Sequence, residues 1–300
     1  MRNVAHPYAR APLAQVALIF AGYVVAFGLV YVFSVQTATG RRLADAALRG
    51  AISVRPLLSG TVQTILDVVS VASLLGAVAV VAVIALIRLA RLEGLMAIGI
   101  LVGSNLSTWL LKNVLLARPD LGLREIAPAT LNSLPSGHTT AVFSSVAALI
   151  FVAPRRWRDV TATVGVGYAT LTGLATMLAG WHRAADSVAA FLVVGAWTCV
   201  AAATIRIVAP HPPPGADDLR RPLSVKWLAL SALACVSLGT ALGVGLVLAS
   251  LAPGNLVGSL TAFLAGGLLV AGTASGVTAG VLTVLDVVDA GVTSSPTDRS

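Results

Sequence analysis

The strongest constraint on this chain of 300 residues is a series of long apolar runs separated by short polar loops. Most of the runs approach or exceed the roughly 20 residues that an α-helix needs to cross the hydrocarbon core of a bilayer. Strands of an outer-membrane barrel would instead need about ten residues of alternating polarity. The runs therefore predict eight membrane-spanning helices, over residues 13–35, 61–87, 94–115, 138–154, 160–180, 186–207, 227–251 and 259–287.

The composition agrees with a membrane protein. Hydrophobic residues make up 57% of the chain, charged residues 11%, and the mean hydropathy is +0.91. Soluble domains have about 25% charged residues, so the predicted fold class is an all-α polytopic membrane protein. The first run lacks a clean cleavage site at its end, which favours a retained helix over a removed signal peptide. Cys199 and Cys235 lie inside apolar runs, so no disulfide and no cysteine metal site is predicted.

The distribution of Lys and Arg between the loops predicts the orientation. With eight spans both termini lie on one side, and the positive-inside tendency makes the more basic side cytoplasmic. This side carries 12 of the 20 basic residues, namely Arg2, Arg10, Arg88, Arg91, Arg155, Arg156, Arg158, Arg206, Arg220, Arg221, Lys226 and Arg299. The net charge of +8 is scattered over short loops near the headgroups. The expected partners are therefore membrane lipids, and no nucleic-acid partner is expected.

Three groups of polar residues stand where apolar runs end or begin. Lys112 and Arg118 follow the third run, the string Pro135 to His138 precedes the fourth, and His182 with Asp186 lies between the fifth and sixth. The eight-span topology places all three groups on the same membrane face, opposite the predicted cytoplasmic side. Unrelated polar fragments would share a face only by chance, so their coincidence indicates a single site.

The residue types in these groups suit the binding of a phosphate. Lys112 and Arg118 supply fixed positive charge, and the arginine can hold two oxygens through its planar guanidinium. Ser136 and Gly137 precede a helix, so their N–H groups and the helix dipole can face an anion. Each group also has a plainer interpretation: Lys112 and Arg118 as interfacial anchors, Ser136 as a helix cap, and His182 with Asp186 as a polar cap of the next helix.

In order and spacing these motifs resemble those of the type 2 phosphatidic acid phosphatase (PAP2) and vanadium haloperoxidase-like family, in its membrane branch. The family pattern is a Lys followed by Arg-Pro, then Pro-Ser-Gly-His, then Ser-Arg, His and Asp. Here the corresponding residues are Lys112, Arg118-Pro119, Pro135 to His138, His182 and Asp186, and the resemblance covers about residues 61–207.

The resemblance implies a role for each residue of the site. His182 corresponds to the nucleophile that forms a phosphohistidine, and Asp186 to the carboxylate that fixes the tautomer of that histidine. His138 corresponds to the general acid that protonates the leaving oxygen. Lys112, Arg118, Ser136 and Gly137 correspond to residues that bind the substrate phosphate. The resemblance implies neither a metal nor another cofactor.

The chain departs from the family pattern in two places. Ala175 and Thr176 stand where the family has Ser-Arg, so the usual third phosphate-binding arginine is missing. The spacing from Lys112 to Arg118 is one residue shorter than usual. Arg183, beside the expected nucleophile, is the candidate replacement for the missing positive charge; a simple loop cation is the alternative.

The predicted organisation divides the chain into four parts. Residues 1–207 form a six-helix phosphatase-like core, 208–226 a proline-rich cytoplasmic linker, 227–289 two additional transmembrane helices, and 290–300 a disordered tail. Glycines recur every four residues in the last two helices, which suits close packing within the chain or a homodimer. They are Gly239, Gly243, Gly272, Gly276 and Gly280.

The predicted function is hydrolysis of a lipid phosphate or polyprenyl (di)phosphate at the extracytoplasmic face of the plasma membrane, without a metal. Two alternatives remain open at this point. One is a catalytically weakened or inert relative that binds or moves a phospholipid or polyprenyl phosphate. The other is a phosphotransferase that uses the same histidine with an acceptor other than water.

Overall fold

The computed structural model describes residues 10–68, 71–126, 132–209, 223–249 and 255–289. These residues form α-helices joined by short loops, with no strand among them. The predicted all-α polytopic fold is confirmed, but the count of eight helices is wrong, because the described part of the chain contains nine. They are α1 (Arg10–Gln36), α2 (Ala38–Val68), α3 (Val71–Ile87), α4 (Arg91–Leu110), α5 (Gly137–Val152), α6 (Arg155–Leu178), α7 (Ala184–Val208), α8 (Leu223–Leu248) and α9 (Leu256–Asp289). A short π-helical turn, Leu111–Leu115, continues α4.

Five segments of the described chain are long and apolar enough to cross a membrane. They are Leu13–Gln36, Arg91–Leu115, Ala184–Val208, Ser224–Leu248 and Leu256–Asp286. Two further apolar helices are shorter, Leu75–Ile87 and Gly137–Val152. The prediction of a multi-pass membrane protein is confirmed at this level.

The ninth helix arises because residues 38–60, predicted as a loop, are helical. They form most of α2, and the predicted span 61–87 is divided between the end of α2 and α3. Arg41 and Asp45 of α2 are buried, whereas Arg42 and Arg49 are exposed. Such an amphipathic helix has a low mean hydropathy, so a search for long apolar runs does not detect it.

Helix α2 lies across the ends of several other helices. Gly50 packs against the backbone of Ser259 near the start of α9, and Ile52 lies next to Gly180 just after α6. Leu43 lies next to Gly243 near the end of α8. All three contacts are at the end of the bundle where α6 ends and α7 begins, which is also where the predicted site lies.

Polar and aromatic contacts fix α4, α5 and α7 against each other. Thr108 of α4 and Thr140 of α5 share a hydrogen bond of 2.9 Å, and the rings of Phe143 (α5) and Phe191 (α7) meet edge to face at 4.9 Å. Hydrogen bonds between helices help to align them where no water competes. The alignment places the end of α4 beside the start of α5.

Helices α8 and α9 pack closely on each other and on the rest of the bundle. A Cβ on Gly272 would meet Val236 at 2.8 Å, one on Gly276 would meet Ala232 at 3.3 Å, and one on Gly280 would overlap the hydroxyl of Tyr23. These glycines therefore face helices of the same chain. A homodimer through α8 and α9 stays a prediction, as does the division of the chain into domains.

Two predicted segments lie wholly or largely outside the described part of the chain. They are the linker, of which positions 210–222 are not described, and the whole tail, 290–300.

Candidate active site

Two histidines from different helices meet at the end of the bundle. The imidazole rings of His138, in the first turn of α5, and His182, just before α7, have their centroids 6.1 Å apart and their planes inclined at 67°. Trp181 lies over His138 with a ring separation of 5.3 Å. The structure thus brings together the two residues that were predicted to carry the chemistry.

His182 is held by a carboxylate of α7. Its Nδ1 lies 3.1 Å from Oδ2 of Asp186, and both side chains are buried. The same oxygen accepts the backbone N–H of Arg183 at 2.9 Å. Asp186 therefore caps α7 and orients His182 at the same time, which leaves Nε2 of His182 as the ring nitrogen that is not bound to Asp186.

The turn between α6 and α7 sets the position of His182. Gly180 has φ = +79°, a left-handed conformation that glycine adopts without strain and that commonly ends a helix. The N–H groups of Trp181 and His182 then both donate to the carbonyl of Thr176, at 3.0 and 3.2 Å. The side chain of Thr176 is fully buried and donates to the carbonyl of Gly173, so it points back into its own helix.

The start of α5 presents backbone donors to the site. Ser136 is the N-cap, and its hydroxyl oxygen accepts the N–H of Thr139 at 3.3 Å. Its own N–H donates to the carbonyl of Asp186 at 2.9 Å, so it is not available to an anion. The N–H groups of Gly137 and His138 have no hydrogen-bond partner among the described residues. A Cβ on Gly137 would meet no atom within 4 Å, so the space above it is open.

Lys112 lies in the π-helical turn that follows α4. Asn132 donates to the carbonyls of Lys112 and Leu116, both at 3.0 Å, and so joins this turn to the segment before α5. Lys112 lies within electrostatic range of His138. The turn that carries Lys112 thus lies at the same end of the bundle as the histidine pair.

Arg118 follows in a loop that α1 holds in place. The Tyr31 hydroxyl and the Gln36 amide both donate to the carbonyl of Ala117, at 2.8 and 3.0 Å. One terminal nitrogen of Arg118 donates to both carboxylate oxygens of Glu125 at 2.8 Å. Its Nε is buried and has no hydrogen-bond partner among the residues described.

Arg183 lies close to the same carboxylates. Its guanidinium is 3.8 Å from Asp45 and 4.0 Å from Glu125, and its side chain is 3% exposed. Burial and the nearby Arg118 lower the pKa of Arg183 from its ordinary value, while Asp186, Glu125 and Asp45 raise it. Since an arginine stays protonated even with such a shift, the site holds two positive guanidinium groups side by side.

The comparison with known proteins agrees with this arrangement. Residues 88–207 match the family model of the PAP2 superfamily. The predicted resemblance is confirmed over this PAP2 segment. No curated protein and no solved structure matches the chain. The PAP2 match supports a phosphatase that acts on phosphate esters.

The PAP2 segment contains every predicted site residue, from Lys112 to Asp186, and the structure places all of them at one end of the bundle. Glu125 also lies in this segment, whereas Arg41 and Asp45 lie outside it, on α2. Sequence reasoning missed these three residues. The signal available in the sequence was the i to i+4 spacing of Arg41 and Asp45. In a helix this spacing places both residues on one face, here in a segment with apolar neighbours.

The described residues contain no group of three or more His, Cys, Asp or Glu side chains that could hold a metal ion. The charged groups that converge at the site are instead histidines, carboxylates and the positive charges of Lys112, Arg118 and Arg183. This arrangement can bind an anion beside His182, which the carboxylate of Asp186 orients.

Proposed function

We propose that the protein is a membrane-embedded phosphatase that hydrolyses a lipid phosphate or polyprenyl (di)phosphate through a phosphohistidine. The observation that carries the proposal is the pair His138 and His182, 6.1 Å apart, with Asp186 on Nδ1 of His182. A buried Asp–His pair that faces a second histidine suits nucleophilic attack assisted by a general acid.

In the proposed first step, Nε2 of His182 attacks phosphorus and the bond between phosphorus and the lipid oxygen breaks. His138 gives a proton to that oxygen as it leaves. Asp186 stabilises the positive imidazole that forms by accepting its Nδ1–H. In the second step His138 takes a proton from water, the water oxygen attacks phosphorus, and the phosphorus–nitrogen bond to His182 breaks to release inorganic phosphate.

The phosphate oxygens in this proposal are bound by Lys112, Arg118 and Arg183 and by the N–H groups of Gly137 and His138. Ser136 contributes by capping α5 and fixing the direction of these N–H groups. The open space above Gly137 supports this location, since a phosphate can approach the backbone there. Fixed donors that face the developing charge are typically the largest contribution to catalysis.

A lipid is the proposed substrate because the site lies at the ends of apolar helices. A lipid in the membrane can present its phosphate at that level while its chains remain among the exposed apolar side chains of α1 and α4, such as Leu29, Val32 and Trp109. The excess of basic residues at the opposite end of the bundle supports a plasma-membrane protein with its site on the extracytoplasmic face.

The test is release of inorganic phosphate by the purified, detergent-solubilised protein. The panel should contain phosphatidic acid, a sphingoid phosphate, a polyprenyl phosphate and a polyprenyl diphosphate, with and without EDTA. We expect metal-independent release from at least one of them. Loss of activity in EDTA that Mg²⁺ or Zn²⁺ restores would contradict the proposed use of fixed cations, and phosphorylated acceptor without free phosphate would indicate a phosphotransferase.

A second candidate function is binding of a lipid phosphate without turnover. Thr176 favours it, because the residue where the family has an arginine is here a buried threonine whose hydroxyl donates to the carbonyl of Gly173. The candidate predicts tight binding of a lipid phosphate and no release of phosphate from any substrate of the panel.

A further inference from the structure

The helix α2, outside the PAP2 segment, carries two buried charges that face the site. Arg41 and Asp45 are 3% and 7% exposed, on the half of α2 that packs against the bundle through Leu48 and Ala51. Buried charges are costly unless they are paired. Their partners therefore indicate what they are for.

Arg41 is tied to the loop that carries Arg118. Its guanidinium donates to the carbonyl of Val35 at 2.7 Å and to the carbonyl of Pro119, the residue after Arg118, at 2.6 Å. It also lies 3.6 Å from the carboxylate of Glu125. That carboxylate in turn accepts both hydrogen bonds from Arg118.

Asp45 is tied to the other arginine of the site. One of its oxygens accepts the N–H of Ile126 at 3.0 Å and lies 3.8 Å from the guanidinium of Arg183. Its other oxygen accepts hydrogen bonds from Arg49 at the protein surface. Asp45 thus contacts both the loop after Arg118 and the residue after His182.

Three arginines share the two carboxylates of this cluster. Arg41, Arg118 and Arg183 each lie within 4.0 Å of Asp45 or Glu125, and Asp186 also acts on Arg183. Each carboxylate also receives backbone or side-chain donors that fix its place. The buried Nε of Arg118 is a donor without a partner in the described structure, and it belongs to a side chain that is only 6% exposed.

We propose that Arg41 and Asp45 are positioning residues for phosphate binding. They hold the Arg118–Glu125 pair and Arg183 so that the two arginines present their donors to the same phosphate. This inference rests on the proposed function, because it assigns a task to α2 in that same site. In this proposal the amphipathic helix α2 is part of the phosphate site.

The experiment compares Asp45→Asn with wild type in the full-length, detergent-solubilised protein. Two quantities are measured: kcat and KM for the best substrate of the panel, and the affinity for orthovanadate, from the rise in unfolding temperature. We expect kcat/KM and vanadate affinity both to fall by about tenfold to a hundredfold, because displacement of a binding group by about 1 Å has effects of this size. Asp67→Asn, an exposed Asp on the same helix, is the matched control and should stay within about twofold of wild type.

A double variant tests whether Asp45 acts through Arg183. If it does, adding Asp45→Asn to Arg183→Gln should change kcat/KM and vanadate affinity by less than about twofold. The double variant also removes the charge that Asp45→Asn leaves buried, so it serves if the single variant does not fold. A further tenfold loss in the double variant would overturn the inference, and so would wild-type vanadate affinity in Asp45→Asn.

The outcomes separate this inference from the proposed function. A wild-type protein that binds vanadate but releases no phosphate would contradict the proposed hydrolase function. In that case the vanadate affinities of the variants would still decide the role of α2. A wild-type protein that neither binds vanadate nor releases phosphate would overturn both.

Discussion

The imidazole of His182 and the carboxylate of Asp186 lie 3.1 Å apart, four residues from each other across the start of α7. The pair straddles a helix start, so the carboxylate can accept from the ring and from the backbone N–H of Arg183 together. This geometry fixes one ring nitrogen and leaves the other for chemistry.

The first prediction concerns the nucleophile. His182→Ala should abolish release of phosphate, because the substitution removes the Nε2 atom that attacks phosphorus in the proposed first step. Steady-state rates and a size-exclusion profile of the detergent-solubilised variant are the measurements. A folded variant with at least half the wild-type rate would exclude His182 as the nucleophile.

The second prediction concerns the general acid. His138→Ala should reduce the rate strongly for alkyl phosphates and much less for aryl phosphates, because an aryl oxide leaves without needing a proton. Parallel assays with one alkyl and one nitrophenyl ester give the comparison. Equal losses on both substrates would contradict the assignment of His138.

The third prediction concerns the space above Gly137. A Cβ there meets no protein atom within 4 Å, so Gly137→Ala should fold with unchanged or slightly higher unfolding temperature. If phosphate occupies that space, the added methyl group should raise KM and weaken inhibition by vanadate by about tenfold or more.

The natural control for Gly137→Ala is Gly167→Ala, since Gly167 is also free of neighbours within 4 Å and lies in the middle of α6. This variant should leave both KM and vanadate inhibition unchanged. Unchanged values in Gly137→Ala would show that the phosphate binds elsewhere.

The fourth prediction concerns the charge of Arg183. Arg183→Gln should lower the rate by about 10² to 10³, which is the usual cost of removing one donor that stabilises the transition state. Arg124→Gln is the control, because Arg124 is an exposed arginine of the same membrane face. A rate in Arg183→Gln within threefold of the control would mean that Arg183 does not replace the arginine missing at Thr176.

The fifth prediction concerns inhibition by an oxyanion. Vanadate should inhibit competitively, since it can take a fifth ligand from His182 in a geometry that resembles the transition state. The inhibition constant should rise in Lys112→Ala and in Arg118→Ala, measured on the same substrate. Inhibition that is insensitive to both substitutions would separate these residues from the phosphate site.

The identity of most helices and of the central motifs could be predicted from local sequence. Long apolar runs specify membrane helices, because lipid offers the backbone no hydrogen-bond partners and a helix satisfies its backbone groups within the segment. The motif residues Lys112, His138 and His182 each follow or precede such a run. A shared face then follows from counting the spans between them.

Two features of the site depended on finer contacts than a motif describes. The N–H of Ser136 was expected to face an anion, but it donates to the carbonyl of Asp186, and the available donors are those of Gly137 and His138. The placement of Arg183 beside Glu125 and Asp45 likewise depends on two segments that are distant in sequence. No pattern within one segment specifies such a pairing.

The sequence by itself determined the class of the protein, the approximate ends of the long apolar helices, and the set of residues able to bind and attack a phosphate. Only the tertiary structure decided that α2 is a helix at the site and that Asp45 accepts the N–H of Ile126, 81 positions away. The physical reason is that hydropathy and capping act within one or two turns of the chain. Ion pairs between buried charges form only after the helices have packed, so their partners depend on the packing as a whole.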